Sequence, residues 1–347
     1  MRKRGEGRPM VTMRDVAKRA GVSIATVSFV LNDTKPVTPA TRERIELAMA
    51  ELGFRRNMVA RALASRRTHI IAMAYPALDH RFGFSAAEFL TSAAEAARNQ
   101  DYHLVLWPVG NDGTELTELV GQGLVDGVVL MEVQLDDPRV AVLQGTGTPF
   151  ALIGRTTTLE SLAHVDIDFE TTVDNAVGYL HGLGHRRLIL VSGDLTDPRF
   201  HNYGPYVRSE AAYRRVAAEY GFETIVLQCA DATRAGQDAA AQLVRDHPET
   251  TAVLVLNEYS ALGVISGLNR LGHSVPADIS VLALLMAPDT AAMSDPELSM
   301  MRTPGPELGA LGTDALIRQL EGAAPLPPPH LIPAKLHIGG STAPPPG

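Results

Sequence analysis

With one cysteine, Cys229, in 347 residues, this chain has no means of forming an internal disulfide. That excludes the disulfide-stapled secreted scaffolds and fits a reducing compartment. A lone thiol of this kind reads as a small buried apolar side chain. No apolar run reaches the ~18 residues that a membrane-spanning helix needs. Arg2, Lys3 and Arg4 are not followed by an apolar stretch, so the first residues do not read as a secretory signal. A nucleophile elbow, a phosphate loop and a metal-spaced cluster are absent as well. His181 and His185 stand at a spacing that can hold zinc, but no Glu follows His181, and Gly182 and Gly184 weaken the helix that would carry the pair. Gly121, Gly123 and Gly127 superficially resemble a dinucleotide loop, yet they follow a helical stretch rather than a strand. Asp166 and Asp168 share a strand face without an acid–base partner. The expectation is therefore no catalytic residue, no metal, no cofactor and no membrane: not an enzyme.

What is present is a strong asymmetry of charge. The net charge is −8, which taken alone argues against a polyanionic partner. Residues 1–68, however, hold 15 Lys and Arg against 6 Asp and Glu, a balance of +9, while the rest holds 16 against 33, a balance of −17. A basic head on an acidic body points to a head that meets nucleic acid. The length sets a prior of two or three domains, and 45% hydrophobic residues suffice for a large core.

The head reads as three short helices. Thr12-Met13-Arg14-Asp15 has the form of a capping box, opening a helix that runs to about Ala20 and breaks at Gly21. Ser23 caps a second helix, in which Val27, Val30 and Leu31 form an apolar stripe. Its other face shows Ile24, Ala25, Ser28, Phe29 and Asn32. Thr38-Pro39 starts a third helix, whose buried stripe is Ile45, Ala48, Met49 and Leu52 and whose end is Gly53. The tight Gly turn between the first two describes a helix-turn-helix, with the second helix bound for the major groove. Met58 to Ala64 is a further apolar helix too short to hold in water unaided, so it requires DNA or a second copy of itself.

The stretches "MRDVAKRAGVSIATVSFVLN", "VTPATRERIELAMAELGF" and "NMVARAL" closely resemble the lac repressor/galactose repressor (LacI) family of bacterial transcription regulators. The resemblance implies a homodimer, or a tetramer, on a pseudo-palindromic DNA operator. It implies DNA contacts from Thr12, Ser23, Ile24, Ala25, Thr26, Ser28, Phe29, Asn32, Thr38 and Thr41. It also implies that Leu63 wedges open the central base step from the minor groove, flanked by Asn57, Ala60 and Ala64. Arg56 stands where the family usually carries Pro before the hinge, which removes a rigid entry and adds a phosphate contact. Ile24 and Ala25 cannot make bidentate hydrogen bonds; base hydrogen bonds then fall to Thr26, Ser28 and Asn32, and recognition leans on apolar contact and DNA shape. Phe29 either joins that reading face or turns inward as core.

From His69 onward, strand-like runs at 69–75, 102–107, 127–131, 149–153, 187–192, 224–228, 252–256 and 280–284 alternate with helical stretches, the signature of parallel sheets covered on both faces. Ser85-Ala86-Ala87-Glu88 has the form of another capping box, and Gly184, Gly221 and Gly272 sit where helices end. "VDGVVLM" (125–131), the stretch 165–193, the stretch 251–281 and "STAPP" (341–345) continue the resemblance. It implies a periplasmic-binding-protein-like body with three crossovers between two subdomains and a ligand cleft between them. The expected α/β architecture is a basic extension at 1–11, a helix-turn-helix domain at 12–56 and a hinge helix and linker at 57–68. An N-subdomain follows at 69–165 plus 290–323, then a C-subdomain at 166–289 plus 324–341 and a loose tail at 342–347.

The cleft departs from the family pattern. Gly154 replaces an Asp before Arg155, Ser209 replaces a clamping Arg (with Arg208 beside it), Leu285 replaces an Asp, and Glu258 follows the retained Asn257 in place of Asp. Each sugar hydroxyl left without a partner costs ~1–3 kcal/mol. Tyr75, Phe82, Phe84, Trp107 and Met131 stand near strand ends as an apolar lining. The expected effector-binding set is Tyr75, Phe84, Trp107, Arg155, Arg208, Ser209, Asn257 and Leu285, around an effector less polar than a free sugar, or around no effector. The leading reading is a cytoplasmic, nucleoid-associated repressor; a solute-binding protein without a gene-regulatory role is the alternative from another class.

Overall fold

The computed structural model describes residues 11–32, 35–54, 67–76, 83–158, 162–325 and 331–347. Asn57, Ala60, Leu63, Ala64, Arg56, Met58 and Phe82, singled out above, lie outside the described residues, as does the side chain of Asn32. The chain divides into two units, Met1–Thr68 and His69–Gly347.

The first unit holds α1 (Met13–Ala20), α2 (Ile24–Asn32) and α3 (Pro39–Leu52). The capping box at its entry is complete: Thr12 N and Oγ1 donate to Asp15 Oδ2 at 2.9 and 2.7 Å, and Asp15 N returns to Thr12 Oγ1 at 3.4 Å. Gly21 ends α1 with φ +64°, a left-handed conformation that glycine adopts without a steric penalty. Ser23 Oγ accepts from Thr26 N at 3.1 Å and so starts α2. Val16, Ala17 and Ala20 of α1, Val27 and Val30 of α2, and Ile45 and Ala48 of α3 close one small core. Phe29 is not part of that core. It is half-buried, with the Lys35 ammonium 5.1 Å from its ring centre. Thr38 holds the N-cap position of α3, but its hydroxyl bonds Thr41 Oγ1 at 2.8 Å rather than a backbone amide, with Pro39 following at the first helical position.

The second unit is two lobes. The first carries β1 (Ile70–Tyr75), α4 (Phe84–Asn99), β2 (His103–Pro108), α5 (Thr114–Gly121), β3 (Gly127–Met131), α6 (Pro138–Thr146), β4 (Phe150–Ile153) and β5 (His164–Ile167). The chain then crosses into α7 (Phe169–Leu183), β6 (Leu188–Gly193), α8 (Gly204–Tyr220), β7 (Ile225–Cys229), α9 (Thr233–Asp246), β8 (Ala252–Val255), α10 (Glu258–Arg270), β9 (Ser280–Met286), α11 (Pro288–Ala291) and β10 (Ser299–Arg302). It returns through α12 (Gly305–Glu321) and β11 (Leu331–Ile332), and crosses a last time into β12 (Lys335–His337). The sheets run β11-β5-β4-β3-β1-β2 and β12-β10-β9-β8-β6-β7, parallel except for the antiparallel edge strand β12. Apolar clusters lie on both faces of each sheet, which is why strands such as Gly127–Met131 are uniformly apolar instead of alternating.

Several expectations move. β10 pairs β9 in the second sheet, so 290–302 leaves the N-subdomain, while β11 pairs β5, so Leu331–Ile332 joins it and β5 carries 166–167 with it. These strands span two to four residues between prolines or polar groups, too short for a periodic signal. The capping box at Ser85 is absent: α4 begins at Phe84 after Gly83, placing Ser85 inside the first turn. The tail is not loose at its start. Ser299 N donates to Ser341 Oγ at 2.8 Å, Thr342 Oγ1 lies 2.8 Å from Ser299 Oγ and 2.9 Å from Tyr179 Oη, and Ala343 N donates to Ser280 Oγ at 3.0 Å. His185 belongs to the same seam, with Nδ1 on Thr251 Oγ1 and Nε2 on Ala343 O, each at 2.9 Å. His181 instead packs against Tyr220, ring centres 4.4 Å apart. Among the described residues, no helix is long and apolar enough to cross a membrane.

Candidate functional site

Two places carry exposed or concave chemistry. In the head, the N-terminus of α2 presents Ile24, 41% exposed, and Ala25 to solvent, with Thr26, Ser28 and Phe29 half-buried beside them. Val27 and Val30 hold the opposite side against α1 and α3. The helix is thus fixed from below and open along the face that a DNA groove requires. Thr12, Ser23 and Thr38 are exposed at the three helix entries, and Thr41 is half-buried one turn into α3.

The body holds a cavity of about 700 Å³ between its lobes. Strand ends and helix N-termini form its walls, as doubly wound sheets dictate. Of the expected set, Tyr75, Asn257 and Leu285 line it. The other five do not. Trp107 packs on the far face of the first sheet against the cluster containing Leu116 and Leu130. Phe84 is 43% exposed and contacts Tyr259, ring centres 5.4 Å apart, from outside the lining. Arg155 is held by Asp166 and Glu170, each at 3.1 Å. Arg208 donates to Arg155 O at 2.9 Å, and Ser209 is buried in α8. Asp166, 5% exposed, is the centre of that junction; burial pushes its carboxyl up to about 6, with Arg208 and Arg155 pulling it back.

Residues outside the expected effector-binding set change the character of the cleft. Three carboxylates line it, from Glu132, Asp231 and Glu258, together with Tyr203, Tyr206, Tyr259 and Thr303. It is therefore not an apolar cleft, and the polar groups missing at 154, 209 and 285 are replaced from other positions. Glu132, at φ +55°, follows β3, and Tyr203 Oη donates to its carboxylate from the other lobe. Leu285 also sits at φ +55°. Left-handed backbone at non-glycine residues costs of order 1–3 kcal/mol and concentrates at functional sites. Burial raises the hydroxyls of Tyr75, Tyr203 and Tyr206, so all three stay protonated as donors. The signal available beforehand was the Glu in "VLME" and the "NEY" after β8, both at strand ends.

Glu258, 4% exposed, works as a strut between the lobes. Its Oε2 accepts from Ser85 N of the first lobe and its Oε1 from Ala287 N of the second, both at 3.1 Å. Burial pushes its carboxyl up, and these amides pull it back. Gly83 permits the approach, because a Cβ there would lie 2.8 Å from Glu258 Oε2. Leu135 N to Asn202 O (2.7 Å) and Gly204 N to Val133 O (3.1 Å) close the lobes further along. Removing the strut strands two amides at ~1–3 kcal/mol each where water does not replace it. Glu258→Ala, at ~2–6 kcal/mol in all, is expected to lower the melting temperature of the body by ~4–24 °C, at ~2–4 °C per kcal/mol. Glu258→Gln, which keeps one acceptor, should lose less. Calorimetric melting checks this, and unchanged transitions in both variants would remove the strut role.

Comparison with known proteins agrees with this division of labour. Residues 12–57 match the family described as bacterial regulatory proteins, lacI family, and residues 177–342 match the periplasmic binding protein-like domain. The chain is 30% identical over 348 residues to the HTH-type transcriptional regulator MalR of Streptomyces coelicolor, covering 96% of this chain and 97% of that one. It is 28% identical over 319 residues to catabolite control protein A of Priestia megaterium, covering 89% and 92%. Among solved structures, the lac repressor dimer bound to operator and the anti-inducer ONPF superposes with a TM-score of 0.81 at 25% identity, covering 96% of this chain and 99% of that one. A solute-binding reading without a regulatory role accounts for the body alone and leaves residues 12–57 unexplained.

Proposed function

The chain belongs to the LacI family of bacterial transcription regulators, and on that premise we propose that it is a repressor that binds a pseudo-palindromic operator as a homodimer and is released or recruited by a small molecule in its interlobe cleft. It is a DNA-binding regulator and not an enzyme. The observation that carries the proposal is the α2 N-terminus, with Ile24 and Ala25 exposed above a closed three-helix core in a segment of charge +9. Thr26 and Ser28 supply the base-edge hydrogen bonds, Ile24 and Ala25 contact thymine methyls, and Thr12, Ser23, Thr38 and Thr41 meet the phosphates. Leu63 is assigned the minor-groove wedge, with Asn57, Ala60 and Ala64 beside it. The domain limits proposed are a head at 12–56, a hinge at 57–68, a first lobe built on β1–β5, α12 and β11, and a second on α7–α11, β6–β10 and β12. The likeness to an operator-bound lac repressor dimer supports the dimer.

Effector control follows from the strut geometry. A ligand in the cleft competes with or reinforces Glu258 and the Glu132–Tyr203 contact, and only a ligand that binds the two lobe arrangements unequally shifts the equilibrium. Genome-wide binding followed by footprinting tests the assignment. The expected result is an inverted-repeat site whose affinity falls steeply with salt. Protection without an inverted repeat would remove the repressor reading.

A further inference from the structure

Two of the helix N-termini that open on the cavity, those of α4 and α10, are already occupied. Glu258 accepts from Ser85 N in the first turn of α4, and Asp231 Oδ1 accepts from Tyr259 N at 3.1 Å in the first turn of α10. These amides are where an anionic ligand would otherwise bind. The expected clamp is also withdrawn, with Arg155 and Arg208 engaged at the Asp166 junction. Among the described residues lining the cavity, Arg199 is the one cation; its Nη2 lies 2.6 Å from Asp197 Oδ2 and its side chain is 53% exposed. Against it stand Glu132, Asp231 and Glu258, so the lining carries net negative charge. Aromatic faces surround these carboxylates: Tyr203 and Tyr206 meet edge to face at 4.7 Å, and Phe200 lies 5.3 Å from Tyr206. A separate observation points to a ligand. Thr303, 3% exposed and lining the cavity, has a buried Oγ1 without a hydrogen-bond partner.

We propose that the effector is a small organic ammonium compound whose cationic centre sits among Glu132, Asp231 and the tyrosine rings, with a polar group that satisfies Thr303. This rests on the reading of the cleft as an effector site. Carboxylates within an aromatic cage favour a cation both by Coulomb attraction and through the ring faces, and desolvation strengthens both effects. An anionic ligand meets three like charges, and the amides that open α4 and α10 are already taken. A neutral sugar would use the same acceptors but leave their charge unneutralised.

The test is isothermal titration of the full chain with matched probes: choline against its neutral isostere 3,3-dimethylbutan-1-ol, and glucosamine against glucose and glucose 6-phosphate. At least one ammonium member is expected to bind more than about tenfold tighter than its neutral partner, as for a desolvated cation–π contact. Glucose 6-phosphate should give no heat. Glu132→Gln and Asp231→Asn each retain an acceptor for Tyr203 and Tyr259, and are expected to erase the preference while unchanged melting shows that the chain is folded. Equal binding of the neutral partner, binding of the phosphate, or silence of both ammonium probes at millimolar concentration overturns the proposal. So does a preference that survives both substitutions, which would place the cation elsewhere on the acidic body. Operator binding measured in parallel separates the two readings: its absence strikes the regulator assignment, while a neutral ligand in the cleft strikes only the charge.

Discussion

Ile45→Asp is expected to abolish specific operator binding while leaving the body folded. Ile45 is fully buried where α1, α2 and α3 meet, in a core of seven buried residues, three of them alanines. A domain this small holds only ~3–5 kcal/mol of stability. An unpaired carboxylate in that core costs several kcal/mol, and removal of the isoleucine side chain adds ~2–5 kcal/mol. The sum exceeds the reserve, so the three helices separate and α2 loses its orientation. Specific binding typically exceeds non-specific binding by ~10³ or more, and the variant should fall to that floor. Residues 69–347 have their own clusters on both sheets and form a separate unit, so the main calorimetric transition should stay where it was. Gel-shift titration and calorimetry together check this. Retained operator affinity would place recognition outside the three-helix head.

The second large effect is expected at Gly193. This residue ends β6, and a Cβ there would lie 1.9 Å from Tyr206 Cε2 and 2.0 Å from Cζ. The glycine is required for room, since its φ is not in the left-handed region. Tyr206 is 5% exposed and is packed against Tyr203 and Phe200, so the ring has one way to yield, into the cavity that it lines. Overpacking of this kind costs ~1–3 kcal/mol, and more where neighbours are rigid. For Gly193→Ala the body's melting temperature should drop by ~2–12 °C, at ~2–4 °C per kcal/mol, and effector binding should weaken as the cavity fills. Gly182 is the matched control: it lies inside α7 with open space where its Cβ would go, so Gly182→Ala should stabilise by ~0.5–1 kcal/mol. Equal melting temperatures for the two variants would contradict the close approach of Tyr206.

The head was legible because its signals are local. A capping box, a glycine at a left-handed turn and apolar residues three and four apart fix three helices within a few residues of each position. The long strands of the body were legible for a similar reason, as uniform apolar runs. The cleft was not. Trp107 and Tyr75 both sit at strand ends, yet only Tyr75 faces the cavity, because the edge strand β2 turns Trp107 toward α5 and α6. Ser85 has the sequence of a cap, but its own amide, which Glu88 would accept from in a capping box, is taken by Glu258, 173 residues away.

By itself, the sequence determined the class of the protein: a basic three-helix reader joined to an acidic α/β body. Those properties follow from composition and short-range periodicity, which tertiary contacts do not alter. Only the tertiary structure decided the chemistry of the cleft. Its walls come from nine separate stretches of chain, and whether a carboxylate becomes a ligand group, a helix cap or an ion-pair partner depends on which backbone amides and guanidinium groups from distant elements reach it first. At this cleft they leave it acidic and aromatic, where the sequence had suggested apolar walls.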